Sequence, residues 1–270
     1  MKYAIISDIH ANYDALSVVL EKCRELAIED FICLGDIVGY NAEPERCLNA
    51  VRQLNLLGCV KGNHDEYVAG DSESMEGFNP HARKAVLWTK EQLVEEERQW
   101  LRERPLRQTI PNSNITIVHA TLDSPEAWGY IFDIHHAADN FSYQFTQLCF
   151  CGHSHVPVAF CKKPITNSSE KPIIELYDWA YKRNEEYAPL DAGVADNITI
   201  DILPGYKYLI NVGSVGQPRN NDPRASFAIY DRSAQTVTRF RLPYDIKSQQ
   251  EKIRAAQLPE RLALRLATGS

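Results

Sequence analysis

The sequence contains no uninterrupted apolar run of about 18 residues or more, the length a membrane-spanning helix requires. No secretory leader is expected either: the first apolar run, "YAIIS" at 3–7, is soon interrupted by Asp8 and His10, with no charged lead, long apolar core or small-residue exit. A cytoplasmic location is therefore expected. An excess of positive charge is missing too, since 29 Lys and Arg against 36 Asp and Glu leave a net charge of -7. Long-range electrostatics thus oppose a polyanion such as duplex DNA, and neither a long nucleic acid nor a membrane is expected as a partner. A small phosphorylated substrate, drawn in by local positive charge, stays open. Paired cysteine spacing is absent as well. The seven cysteines (Cys23, Cys33, Cys47, Cys59, Cys149, Cys151 and Cys161) are odd in number and mostly sit in apolar periodic segments, which reads as reduced, buried small hydrophobes.

What is present is a chain of 270 residues, 44% hydrophobic and 24% charged, long enough to bury a core without disulfides or a structural metal. Short apolar runs recur: "YAIIS" (3–7), "FICL" (31–34), "CV" (59–60), "ITIV" (115–118), "LCFC" (148–151) and "YLINV" (208–212). They read as buried strands. Helical spacing separates the first three, with Leu16, Val19, Leu20, Cys23 and Leu26 behind an Asn12 cap, then Cys47, Leu48, Val51 and Leu54 behind Pro44. Residues 79–103 form a further expected helix, 246–266 a final one, and "SFAIYD" with "TVTRFRLP" a hairpin turning near Ser233 and Ala234. The segment 162–207 reads as a polar insertion with short strands at "PIIELYDW" and "NITIDILP". Strand alternating with helix, then a strand-rich second half, implies an α/β fold: one domain over 1–270, a two-sheet β-sandwich flanked by helices.

The residues that follow the strands carry the chemistry. Within four residues of the first five runs stand Asp8 and His10, Asp36, Asn63 and His64, His119, and His153 and His155. Sites in parallel-type sheets gather outside the carboxyl ends of strands. Singly, each residue has a bland reading: a helix cap, a Gly-Asp turn, an αL turn, or a hydrogen-bonded core histidine. Five such readings at successive strand ends are improbable together. In "LCFCGHSHVP" (148–157), Cys149, Cys151, His153 and His155 alternate on an extended chain and could in principle enclose one zinc ion. The wider ligand count favours another arrangement. Asp8, His10, Asp36, Asn63, His119, His153 and His155 exceed one four-coordinate site, and surplus polar groups buried without partners would cost a few kcal/mol each. Two ions sharing one carboxylate use them all. Two divalent ions and two carboxylates leave a formal charge of about +2, or about +1 with a bridging hydroxide, which attracts phosphate.

"DIH", "GDIVG", "GNHD", a strand-terminal His119 and "GHSH", in that order, resemble the five signature blocks of the calcineurin-like metallophosphoesterase superfamily, over about residues 1–160. The stretches "NVGSVGQPRNNDPRASFAIYD" (211–231) and "LPERLALRL" (258–266) are similar to its bacterial YfcE-related branch, whose members are small-substrate phosphoesterases or diadenosine-polyphosphate phosphatases. The resemblance implies a four-layer αββα fold and a phosphoesterase in which a metal-bridging hydroxide attacks phosphorus. It implies that Asp8, His10 and His155 hold one ion, that Asn63, His119 and His153 hold a second, and that Asp36 bridges them. His64 would then assist the leaving oxygen rather than bind metal. Mixed oxygen and imidazole ligands suit manganese first, with iron or zinc as alternatives. The cysteines of "LCFC" are left to the core.

The sequence departs from the pattern at two points. Protein Ser/Thr phosphatases continue the second block as Gly-Asp-x-x-Asp-Arg-Gly, whereas here Asp36 is followed by Ile37, Val38, Gly39, Tyr40 and Asn41, which weakens a protein-phosphatase reading. The fourth block has Ala120 where glycine is common. Candidate substrate groups are Arg219 and Arg224, able to neutralise phosphate oxygens bidentately, with Tyr40 and Asn41 near the leaving group. His81, His135 and His136 read as surface residues. The expected substrate is a small phosphodiester or nucleotide, including dinucleoside polyphosphates. The alternatives are a phosphomonoesterase or protein phosphatase of the same superfamily, and a metal-binding scaffold without activity.

Overall fold

Alternation along the first strand sets the layering. In the computed structural model, which describes residues 1–70, 79–165, 172–177 and 197–270, β1 (Lys2–Ile6) turns Tyr3 and Ile5 to one face and Ala4 and Ile6 to the other, and both faces are buried. The chain continues through α1 (Tyr13–Glu25), β2 (Asp30–Cys33), α2 (Pro44–Arg52), β3 (Asn55–Cys59) and α3 (Asn63–Ala69). Next come α4 (Pro80–Gln92), α5 (Glu95–Arg102), β4 (Arg107–Ile110), β5 (Ile115–Val118), α6 (Ile134–Tyr143), β6 (Leu148–Cys151), β7 (Val158–Lys162) and β8 (Ile174–Tyr177). Then follow β9 (Ile198–Asp201), β10 (Lys207–Asn211), β11 (Ala225–Asp231), β12 (Thr236–Leu242), α7 (Ile246–Ala255) and α8 (Glu260–Thr268).

The described strands form two six-stranded sheets, ordered β3-β2-β1-β11-β12-β9 and β4-β5-β6-β10-β7-β8. Each contains a parallel trio, β3-β2-β1 in the first and β5-β6-β10 in the second, with antiparallel strands completing it. Both sheets draw strands from both halves of the chain. Leu16 and Val19 of α1 and Cys47, Leu48 and Val51 of α2 pack with Ala4 and Ile6 on the outside of the first sheet. Tyr3, Ile5, Ile117, Phe150 and Ile210 fill the space between the sheets. Ala137 and Phe141 of α6 cover Val118, Cys149, Cys151 and Leu209 on the far side of the second. The architecture is the expected α/β sandwich of four layers, helix, sheet, sheet, helix. Among the described residues no helix is long and apolar enough to cross a membrane.

Several local expectations need correction. The helix expected over 79–103 is two, because Leu93 is extended and buried, and the Glu97 carboxylate accepts the Val94 N–H at 3.1 Å to restart the turn. The final helix over 246–266 is also two: Gln257 adopts φ 55°, and Pro259 has no N–H to continue α7. Two strands, β4 and β7, were not expected. The segment 162–207 is not an appendage, since β8 and β9 edge the second and first sheets respectively. Its parts 166–171 and 178–196 lie outside the described residues.

Phe150 is fully buried between the sheets. Phe150→Ala is expected to lower the unfolding free energy by about 3–5 kcal/mol, measured by urea denaturation. A loss below about 1 kcal/mol would mean that the sheets do not pack through this layer.

Candidate metal centre

All six parallel strands end at the same end of the sandwich, and the loops beyond them keep pairing. Past β1 and β2, the N–H groups of Asp8, His10 and Ala11 donate to the carbonyls of Gly35, Asp36 and Ile37 at 3.0, 2.9 and 2.9 Å. Past β10, Val215 and Gly216 donate to Ser7 and Asp8 carbonyls, and Ser214 Oγ to the Asp8 carbonyl at 2.8 Å. Asn211 Nδ2 donates to the Gly152 carbonyl and to Ser154 Oγ, holding the "GHSH" turn. Asp65, the last residue of "GNHD", accepts from Ile37 and Val38 N–H groups with one oxygen and from Gly62 N–H with the other. Two glycines allow the close approach: a Cβ on Gly62 would overlap Asp36 Oδ1, and one on Gly152 would overlap Ser7 Oγ and Asp8 Oδ2.

These loops bring the ligand types together in two buried groups. Asp8, His10, Asp36 and His155 place ligand atoms within 4.8 Å of one another, as do Asp36, His119 and His153, so Asp36 belongs to both. Asp36 Oδ2 lies 3.5 Å from His10 Nε2 and 3.3 Å from His119 Nε2, while its Oδ1 accepts the His64 N–H at 2.8 Å. Asp8 Oδ1 is 3.2 Å from His155 Nε2. The imidazoles are oriented from behind by backbone carbonyls: Nδ1 of His10, His119 and His155 meets Val38, Leu34 and Gln217 oxygens at 3.2, 2.7 and 2.6 Å. His153 does the reverse, its Nε2 meeting the Trp128 carbonyl at 2.8 Å and leaving Nδ1 for the centre.

This arrangement fits cations. With Nδ1 donating outward, His10 and His155 direct their Nε2 atoms at each other across 3.1 Å, a convergence of lone pairs that a positive ion satisfies. Asn63 Oδ1, on the same turn as Gly62 and His64, is buried without a hydrogen-bond partner. Burial pushes the His10 and His155 imidazoles down, and takes His153 to about 3 and His64 to about 4, keeping them neutral. Burial alone would raise Asp8 and Asp36, but the nearby imidazoles, His155 and His119 foremost, hold both carboxyls well below the usual range. His119 stands apart: burial opposes its charge, yet Asp36 raises it to about 10. Burial, then the charge of Asp36, raises Asp65 to about 7.

The other candidates divide. His64 packs its ring 4.8 Å from His10 and 4.3 Å from Tyr40, beside the ligand groups. Tyr40 and Arg219 line a cavity of about 560 Å³ against the centre. Asn41 and Arg224 do not line it, and their expected contact with substrate is revised. Asn41 is fully buried with Nδ2 on the His10 carbonyl at 2.7 Å, and Arg224 gives Nε and Nη2 to the Asp222 carboxylate at 3.0 and 2.7 Å. His135 and His136 are exposed, as expected, but His81 lines the cavity, which its polar surroundings in sequence did not signal. Asp65, Trp128, Tyr130 and Arg265 also escaped the sequence reading. Asp65 alone had a signal, as the fourth residue of its block.

The chain matches the calcineurin-like phosphoesterase superfamily domain over residues 1–171. It is 38% identical over 268 residues to an uncharacterised protein of Methanocaldococcus jannaschii, covering 98% of this chain and 97% of that one. The crystal structure of a metallophosphoesterase from Sphaerobacter thermophilus is 39% identical and superposes with a TM-score of 0.78 over 100% of this chain and 99% of that one. A bis(5'-nucleosyl)-tetraphosphatase of Aggregatibacter actinomycetemcomitans is 30% identical over 124 residues, 45% of this chain and 44% of its own length.

Cys149 and Cys151 face α6 in the core, away from these ligand groups. Replacing both with alanine is expected to reduce the unfolding free energy by about 1–2 kcal/mol and leave metal uptake, measured by mass spectrometry of the metal content, unchanged. Loss of an ion from the folded variant would reinstate a cysteine-histidine site.

Proposed function

The chain belongs to the calcineurin-like phosphoesterase superfamily, a family of phosphate-ester hydrolases, and on that premise we propose that it is a dinuclear-metal-dependent hydrolase of a small phosphodiester or nucleotide. The observation that carries this reading is the sharing of Asp36 between two buried ligand groups. Asp8, His10 and His155 complete one position, and Asn63, His119 and His153 the other. Manganese is the preferred ion. When bound, two such ions supply an activated water and neutralise charge on the phosphoryl oxygens.

The chain's own residues do the rest. The rings of Tyr40 and His10 fix the neutral His64 imidazole beside the centre, where its N–H donates a hydrogen bond that stabilises the leaving oxygen. Arg219, whose N–H approaches the His155 carbonyl at 3.4 Å, carries its guanidinium to Tyr40 Oη and Gln217 Oε1 at 3.2 Å each and orients a phosphoryl oxygen from the cavity side. The partial match to a tetraphosphatase supports a nucleotide among the substrates. Residues 1–270 act as one unit, since each sheet takes strands from both halves. Seven buried free cysteines suit the reducing cytoplasm.

Chain purified in manganese is expected to hold two ions, and Asp36→Asn at most one, with hydrolysis of bis(p-nitrophenyl) phosphate reduced at least roughly 100-fold. Fewer than two ions in the wild-type chain, or activity that survives chelation, would overturn the dinuclear reading. His64→Ala should retain both ions while kcat drops by roughly 100-fold to 10,000-fold; an unchanged kcat would remove His64 from the reaction.

A further inference from the structure

The cavity beside the metal centre is built from more than the signature blocks. Three of its lining residues touch ligands directly: Tyr40 has its ring 4.7 Å from that of His10, Tyr130 stacks 4.3 Å from His153, and Arg219 adjoins His155 through the backbone. The cavity is also lined by α8, which contributes Arg261 and Arg265. These two stand four residues apart on one side of the helix, where like charges weaken a helix rather than support it. Leu262, Ala263 and Leu266 are buried against Tyr40, Ala82, Ala85 and Leu258. The end of α8 is tied to the loop after Arg219, with Asn221 N–H donating to the Gly269 carbonyl at 2.8 Å. The arginine face is thereby fixed toward the cavity.

Three arginines line this space with no Asp or Glu side chain among the lining residues. Among the described residues none of Arg219, Arg261 and Arg265 has an ion pair with a carboxylate side chain, although most other arginines of the chain do. Arg219 Nε is buried without a hydrogen-bond partner, and Arg265 Nε reaches only the Ser270 backbone oxygen. Burial, reinforced by the charges of Arg219 and Arg261, pulls the Arg265 guanidinium down to about 10. Three guanidinium groups around one cavity, with no carboxylate side chain paired to them among the described residues, are complementary to an anion.

We propose that Arg261 and Arg265, together with Arg219, form a second anion subsite that binds a phosphoryl group on the leaving side of the one being hydrolysed. The substrate is then a molecule with at least two phosphoryl groups, such as a phosphoanhydride chain, rather than a simple ester. This rests on the phosphoesterase reading above. The reaction remains hydrolysis: a bond forms between the water oxygen and phosphorus, the bond from phosphorus to the leaving oxygen breaks, and the water proton passes to that oxygen. The arginines hold the phosphate that departs. His81 of α4, which also lines the cavity, adds a hydrogen-bond donor.

The test compares the full manganese-loaded chain with an Arg261→Gln/Arg265→Gln variant. Two substrates are used, bis(p-nitrophenyl) phosphate with one phosphoryl group and diadenosine tetraphosphate with four. The ratio of kcat/KM for the second over the first is expected to fall at least about tenfold, chiefly through KM. Calorimetric titration with non-hydrolysable imidotriphosphate in the same manganese buffer should show a similar weakening, partly restored in Arg261→Lys/Arg265→Lys. An unchanged ratio with unchanged imidotriphosphate affinity would overturn the subsite. Should the wild-type chain hydrolyse neither substrate while the variant still loses imidotriphosphate binding, the phosphoesterase reading fails and the anion subsite stands.

Discussion

Convergence of buried lone pairs at one end of the sandwich is the constraint on which the rest depends, and the backbone is bent to meet it. Asp8, His10, Asp36, His153 and His155 all adopt φ between 48° and 66°, the left-handed region that side chains other than glycine rarely occupy. Strain of this kind costs about 1–3 kcal/mol per residue and persists only where the surroundings over-determine it. Here they do. The β1 and β2 loops continue the ladder beyond the strands, Asp65 gathers three backbone N–H groups, and Asn211 ties down the "GHSH" turn. A sharp left-handed turn straight after a strand sends the following side chain back over the strand end. That is how the loops after β1, β2 and β6 bring aspartate and histidine to a common point.

The same constraint explains what could be read from sequence. Short motifs at strand ends are local, so the clustering of Asp8, His10, Asp36, His119, His153 and His155, the Asn12 cap, Pro44 at the start of α2 and the apolar runs were legible. Where local pattern and tertiary packing diverge, the sequence misled. Helical spacing runs through Leu93 and Val94, yet burial of Leu93 in the outer core breaks the helix there. Strand β4 reads as "RQTI", half polar because it is an edge strand. Arg219 and Arg224 looked equivalent in "RNNDPR", but Asp222, two residues before Arg224, captures its guanidinium in a partly bidentate pair while Arg219 is left to the cavity. Nothing local distinguishes the two. Nor could His81 or Arg265 be assigned, since only the packing of α4 and α8 over Tyr40 brings them beside the centre.

The origin of the ligands also separates function from folding. Asp8, His10 and Asp36 follow strands of the first sheet, whereas His119, His153 and His155 follow strands of the second, so each ligand group spans the two sheets. Ions bound as proposed would cross-link the sheets where the inter-sheet core ends at Leu34, Val60 and Val212. A small zinc-stapled module depends on such a link to fold. This chain does not share that need, because a continuous apolar layer from Tyr3 to Val237 already joins the sheets, and a second layer carries the cysteines that might have served as thiolate ligands. Burial raises the thiols of Cys149 and Cys151 far from the thiolate form that binds metal. Cations bound as proposed would therefore add to stability by mass action on an already folded chain. The strained loops can then be spent on holding imidazole and carboxylate groups in place for chemistry, and the sandwich beneath them supplies the rigidity that this positioning requires.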